Sequence, residues 1–224
     1  MINNELKKRI LSSILIIPIS FFFILKGSTT FLLFLAFFFL VSSYEWIRMN
    51  NEIKFKLFGI LYLFASFYLT YLLREEFPLK IFLLILIICI FTDLGGYIFG
   101  KLFKGPKLTK ISPQKTYSGV LGSFCLSLIS AIIFIKYSYY LNFDYYQLSA
   151  KYNQSLELNN LTFILIALVS LISQIGDLII SFFKRLAKVK DTGSFFPGHG
   201  GILDRIDGII FAMPTSYILL TSFN

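Results

Sequence analysis

Hydrophobic residues in this chain fall into long unbroken runs separated by short polar breaks, not into the period-two alternation of half-buried strands. Apolar windows approaching membrane length occur near 10–25, 29–46, 57–73, 79–99, 118–138, 161–182 and 206–222. A helix needs about 20 mainly apolar residues to cross the hydrocarbon core of a bilayer. The pattern therefore predicts an all-α, polytopic transmembrane helical bundle of about seven spans. Turn chemistry punctuates it at Gly27-Ser28, at Glu75-Glu76-Phe77-Pro78 and in the polar stretch 153–160. The windows leave no room for a soluble domain of ordinary size, so residues 1–224 read as a single membrane-embedded domain.

Composition agrees. Of 224 residues, 56% are hydrophobic and only 15% charged, against roughly a quarter charged in soluble domains. Cys89 and Cys125 lie inside apolar runs with no CxxC partner or nearby His cluster. Both read as small buried packing residues, and neither a disulfide nor a zinc site is expected. The basic start Lys7-Lys8-Arg9 superficially resembles a signal peptide, but no small-residue cleavage site follows, so the first window reads as a span.

Charge sets the orientation, because cytoplasmic loops retain Lys and Arg. With the N-terminus inside, 16 of the 21 basic residues fall on the inner side. They lie around Lys7–Arg9, around Arg48–Lys56, from Lys101 to Lys115, and from Lys184 to Arg205. Lys26, Arg74, Lys80, Lys136 and Lys151 fall outside. The expected location is the inner (plasma) membrane, multi-pass, with a polar site facing the cytoplasm. The net charge of +9 is then mainly a field at one face, suited to topology, anionic headgroups and phosphates. No nucleic-acid partner is expected.

Ionisable residues within spans are costly and usually face a polar cavity or a partner. Asp93 and Asp177 are two such residues, both toward the inner halves of their helices. Asp177, Ser181, Lys184 and Arg185 recur at i, i+4, i+7 and i+8 and share one helix face. A carboxylate at depth with cations at the rim suits a metal-bound, phosphate-bearing ligand. The next segment contains Gly193, Gly198, Gly200 and Gly201, whose backbone can approach an anion closely. Asp204 and Asp207, at i and i+3, flank Arg205 near the start of the last helix, where plain N-capping is the simpler reading for either Asp. His199 is the only histidine, and a lone loop histidine is more often a hydrogen-bonded structural residue than a catalyst. Before the fifth window, Lys107, Lys110, Ser112, Lys115, Thr116, Ser118 and Gly119 combine cations and hydroxyls at a helix start, which suits phosphate.

At these residues the chain resembles the phosphatidate cytidylyltransferases, also called CDP-diacylglycerol synthases. Their signature reads here SFFKRLAKVKDTGSFFPGHGGILDRID, from Ser181 to Asp207, and every specified position matches. The resemblance extends to Gly176-Asp177, to SPQKT at 112–116 and to TDLGGYIFGK at 92–101. Region 92–208 thus carries the motifs and the presumed active site. Ser118 stands where the family's usual KTxEG motif has Glu.

The resemblance implies transfer of CMP from CTP to phosphatidic acid, giving CDP-diacylglycerol and pyrophosphate for phospholipid biosynthesis. It implies dependence on Mg²⁺, with room for a second cation, and allows a homodimer. Metal ligation would fall to Asp177 and Asp204, with Asp207 and Asp93 as further candidates. Catalytic roles would fall to Asp177, Lys184, Arg185, Lys190, Asp191, His199, Asp204, Arg205 and Asp207. Ser112, Lys115, Thr116, Ser181, Gly198, Gly200 and Gly201 would bind substrate. His199 is expected to position a phosphate or the loop and not to take a proton. A CTP-using lipid-alcohol kinase is the nearest other enzyme, and it would need a base. A transporter is the other class that intramembrane carboxylates suggest, but the polar residues here gather at one face instead of the midplane.

Overall fold

The computed structural model describes residues 18–109, 112, 115–138, 140, 156–193 and 200–222. Its helices are α1 (Ser28–Met49), α2 (Ile53–Glu76), α3 (Leu79–Phe103), α4 (Tyr117–Ser138), α5 (Asn160–Leu186), α6 (Leu203–Ile206) and α7 (Ile209–Ser222). Residues 18–26 form a helical segment before α1. An isolated antiparallel bridge joins Lys107 and Thr116.

Five helices, α1 to α5, are long and apolar enough to cross a membrane. Leu33, Leu40, Leu61 and Leu121 are each about two-thirds exposed on their outer faces. In water such faces would be a liability, whereas lipid tails solvate them. Of the two remaining windows, the first half of 10–25 lies outside the described residues and its second half is the helical segment 18–26. The last yields only the 14-residue α7, about 21 Å long at 1.5 Å per residue. It is shorter than its window because the chain turns at Asp207-Gly208 between α6 and α7. Cys89 is buried as expected, but Cys125 is exposed on α4, where lipid takes the place of a packing partner.

Pro214 lies inside α7 and has no N–H to offer the carbonyl one turn back, that of Ile210. That carbonyl accepts instead from Ser66 Oγ at 2.6 Å and Tyr62 Oη at 3.2 Å, both on α2. Hydroxyls of a neighbouring helix thus satisfy a backbone group for which a hydrocarbon solvent offers no substitute. At the other end of α2, buried Arg74 donates from Nε to the Ile24 carbonyl at 2.8 Å and from Nη2 to that of Leu25 at 3.3 Å. Glu75 Oε1 accepts from Ser28 N at 2.7 Å. Together they cap the end of segment 18–26 and the start of α1, across a turn where Gly27 has φ 62°. Arg74 is therefore consumed in capping.

Helices α3 and α4 approach closely because glycines line their contact. A Cβ on Gly95 would meet the Gly122 carbonyl oxygen, and one on Gly122 would overlap Phe99. On an open helix face, Gly95→Ala would stabilise through helix propensity. Here the expected result is the opposite sign, a loss of about 1–3 kcal/mol from overpacking, read as a lower thermal midpoint in detergent. The close approach holds α3, which carries Asp93, against the start of α4, which follows Lys115. Ser123 Oγ donates to the Thr92 carbonyl at 2.7 Å, and Thr92 Oγ1 to Ser170 Oγ at 2.9 Å, fastening α3 to α4 and α5.

Candidate active site

Between α3, α4 and α5 lies a cavity of about 320 Å³ lined by Asp93, Ser112, Lys115, Thr116, Gln174 and Asp177 among others. Lys115 Nζ stands 2.6 Å from Asp177 Oδ2 and donates to the Gln174 carbonyl at 3.4 Å. Ser181 Oγ, one helical turn on, donates to Asp177 Oδ1 at 3.3 Å. Both members of the ion pair are about a quarter to a third exposed, at 24% and 30%, so the pair faces the cavity and is open to exchange of partners. Asp93 lines the same cavity and forms no hydrogen bond or ion pair with the described residues. Asp207 Oδ1 accepts from Gly208 N at 2.9 Å. Thr116 caps α4, its Oγ1 accepting from Gly119 N at 3.1 Å. The Ser118 hydroxyl pairs with Thr116 Oγ1 at 2.9 Å.

A second cluster stands where α5 runs into the glycine-rich loop. Lys184 Nζ meets Asp204 Oδ1 at 2.8 Å, with side-chain exposures of only 11% and 10%. Asp204 Oδ2 accepts from Thr192 N at 2.8 Å, Thr192 Oγ1 at 3.0 Å and Gly201 N at 3.1 Å. Lys184, Thr192 N and Gly201 N thus hold the carboxylate, and the single Thr192 hydroxyl proton is shared between it and Glu45. Asp204 joins both stems of the loop to α5, a different task from the forward N-capping that its position allows.

Glu45, buried near the end of α1, completes this cluster. Its Oε1 accepts from Ile202 N at 3.0 Å, and its Oε2 from Leu203 N at 2.9 Å and Thr192 Oγ1 at 3.1 Å. Trp46 beside it packs edge-on against Phe183 of α5 and donates from Nε1 to the Phe55 carbonyl at 2.8 Å.

The structure thus gathers Asp93, Ser112, Lys115, Thr116 and Asp177 at the cavity, with buried Ser181 bonded to Asp177 behind it. It places Lys184, Asp204 and Gly201 in the loop clamp, with Asp207 one turn beyond Asp204. Arg185 donates from Nη1 to the Val189 carbonyl at 3.2 Å, and Lys190, Asp191 and Arg205 are exposed. Gly200 has φ 79°, a left-handed conformation that favours glycine. Gly198 and His199 lie outside the described residues, as does Lys110. Sequence reasoning missed Glu45, Thr192 and the Gln174 carbonyl. For Glu45 a signal was present: it is an ionisable residue at the end of an apolar window, the feature that singled out Asp93 and Asp177.

A sequence model of the Cytidylyltransferase family matches residues 52–223. The phosphatidate cytidylyltransferase of Rickettsia prowazekii is 33% identical over 215 residues, covering 94% of this chain and 90% of the relative. That of Rickettsia bellii is 33% identical, covering 96% and 91%. That of Staphylococcus haemolyticus is 35% identical, covering 81% and 66%. The chain belongs to the cytidylyltransferase family.

Proposed function

We infer that this protein is a phosphatidate cytidylyltransferase, an enzyme that moves CMP from CTP to phosphatidate and releases pyrophosphate. The observation that carries the reading is the Lys115–Asp177 pair in a polar cavity among membrane-length helices, in a chain whose relatives bear that name. An oxygen of the lipid phosphate attacks the α-phosphorus of CTP, the α–β bridging bond breaks, and pyrophosphate leaves with the electron pair. A phosphomonoester with a second pKa near 6 is already largely dianionic at neutral pH, so no general base is needed. Charge must instead be neutralised on the transferred group and on both its partners. Lys115 is placed to exchange Asp177 for a phosphate. The exposed Lys190 and Arg205 add cations at the rim, and His199 positions the loop or a phosphate.

Mg²⁺ belongs to this reading. Among the described residues no three His, Cys, Asp or Glu side chains form a ready cation cage. The chemistry of Asp93, Asp177 and Asp207 nevertheless fits a hard cation: all three are carboxylate oxygen donors, and Asp93 and Asp177 line the same cavity. These three would hold the ion, which when bound would neutralise phosphate charge. Asp204 already accepts from Lys184, Thr192 N and Gly201 N and holds the loop stems. Chelation with EDTA is expected to abolish turnover and added Mg²⁺ to restore it. Unchanged turnover in excess EDTA would remove the metal from the account.

The orientation proposed is seven spans with the N-terminus and active site in the cytoplasm of a bacterial plasma membrane, supported by the 16 inner against 5 outer basic residues. Reporter fusions at Lys104 and Lys190 should report cytoplasm and one at Asn153 the outside. A cytoplasmic signal at Asn153 would reverse it. The function itself is tested by incubating the purified protein with CTP, Mg²⁺ and phosphatidate. CDP-diacylglycerol and pyrophosphate should form in equal amounts, and a lipid alcohol offered in place of phosphatidate should not react.

A further inference from the structure

Glu45 lies outside the residues that the family model matches and outside every motif in the sequence, yet it is 3% exposed in a helix with no cation bonded to it among the described residues. A buried carboxylate is retained at a cost unless hydrogen bonds satisfy it. Here three donors do so, and all three belong to the two stems of one loop: Thr192 on the way out, Ile202 and Leu203 on the way back. Between those stems run residues 193–201, which include the PGHGG part of the signature. Gly193 and Gly201 pack against the same carboxylate so tightly that a Cβ on either would collide with it. The Thr192 hydroxyl has one proton and lies within hydrogen-bond distance of both Glu45 Oε2 and Asp204 Oδ2, at 3.1 and 3.0 Å. Glu45 and Asp204 therefore grip the base of the loop from opposite sides, one anchored in α1 and the other tied to α5 through Lys184.

We propose that Glu45 is a positioning residue for the reaction: it acts through Thr192 and the amides of Ile202 and Leu203 to fix the two stems from which the glycine-rich segment of the signature is carried. The proposal rests on the cytidylyltransferase reading for its kinetic consequence, though not for its structural one. Glutamine is the informative replacement. It keeps the volume and one acceptor oxygen but turns the other into an NH₂ facing a backbone N–H, so the bond from either Ile202 N or Leu203 N must be lost and the returning stem is held more loosely. On the cytidylyltransferase reading the segment between the stems handles phosphate, and a misplacement of about 1 Å there is worth about 10²-fold in rate.

The test uses the full-length protein in detergent or nanodiscs and has two readouts. The first is amide hydrogen exchange, which needs no activity. In Glu45→Gln, exchange should quicken by about 10-fold or more at Thr192 and at 201–203, while α3, α4 and the body of α5 exchange as in the wild type. Unchanged exchange at the stems would overturn the proposal, and so would a general rise over all helices, which would make Glu45 a stability residue only. The second is steady-state kinetics with CTP and phosphatidate. Expected are a fall in kcat of about 10- to 100-fold and a several-fold rise in KM for CTP. A smaller fraction of folded enzyme would instead lower apparent turnover and leave KM unmoved, and that result would also count against positioning. Thr192→Val and the double variant complete the cycle: if Glu45 acts through Thr192, the double variant is no worse than the poorer single variant, and full additivity would contradict the route. Should the wild type make no CDP-lipid at all, the functional reading fails and the exchange experiment alone decides the clamp.

Discussion

Asp177→Asn is expected to lower turnover by about 10²–10³-fold, the usual worth of one preorganised charge at a phosphoryl centre, while leaving the protein folded. The substitution keeps the volume and removes the charge that faces Lys115 at 2.6 Å. Because that pair is about a quarter to a third exposed, its loss should change stability by only about 1 kcal/mol or less. The separation of the two effects is the diagnostic: a large kinetic loss with a nearly unmoved thermal midpoint assigns Asp177 to chemistry. Lys115→Met should show the same profile and a raised KM, because a phosphate contact is removed from ground and transition states alike. The double variant should be no slower than the poorer single one, since both groups serve the same bound phosphates. Near-normal turnover in Asp177→Asn at saturating Mg²⁺ would remove Asp177 from the site.

The Lys184–Asp204 pair should behave in the opposite way. Its members are nearly buried at 11% and 10% exposure and joined at 2.8 Å. Lys184→Met leaves a buried carboxylate without its cation, at a cost of about 3–5 kcal/mol. At roughly 2–4 °C per kcal/mol for a chain of this size, the thermal midpoint should fall by about 10 °C. Adding Asp204→Asn removes the orphaned charge and should restore part of that loss, though not the activity, because the loop stems at Thr192 and Gly201 lose their common acceptor. A midpoint unchanged in Lys184→Met would show that the pair does not hold the fold.

The contrast between the two pairs marks what a sequence makes legible. Asp177 and Ser181 could be placed together from helical spacing alone, and the structure joins them at 3.3 Å. Each window from 29–46 to 161–182 reappears as a membrane-length helix because apolar run length is a local property. The shortness of α7 was hidden by counting the turn at Asp207-Gly208 as helix. From its position Asp204 reads as a helix cap, whereas its hydrogen-bonding partners sit on Lys184, Thr192 and Gly201. Glu45 is 147 residues from Thr192 in the chain, and no local period encodes a contact of that separation. The satisfaction of the Ile210 carbonyl by Ser66 and Tyr62 is likewise a tertiary answer to a local question that Pro214 poses.

The central claim, that the group transferred is CMP, is tested most directly by the fate of the label from two forms of CTP. Purified protein with Mg²⁺ and phosphatidate is given CTP labelled at the α-phosphorus in one reaction and at the γ-phosphorus in another. Attack at the α-phosphorus predicts α-label in the lipid product and γ-label wholly in pyrophosphate. Gamma-label in the lipid, with CDP released, would mean phosphoryl transfer instead and would contradict the account.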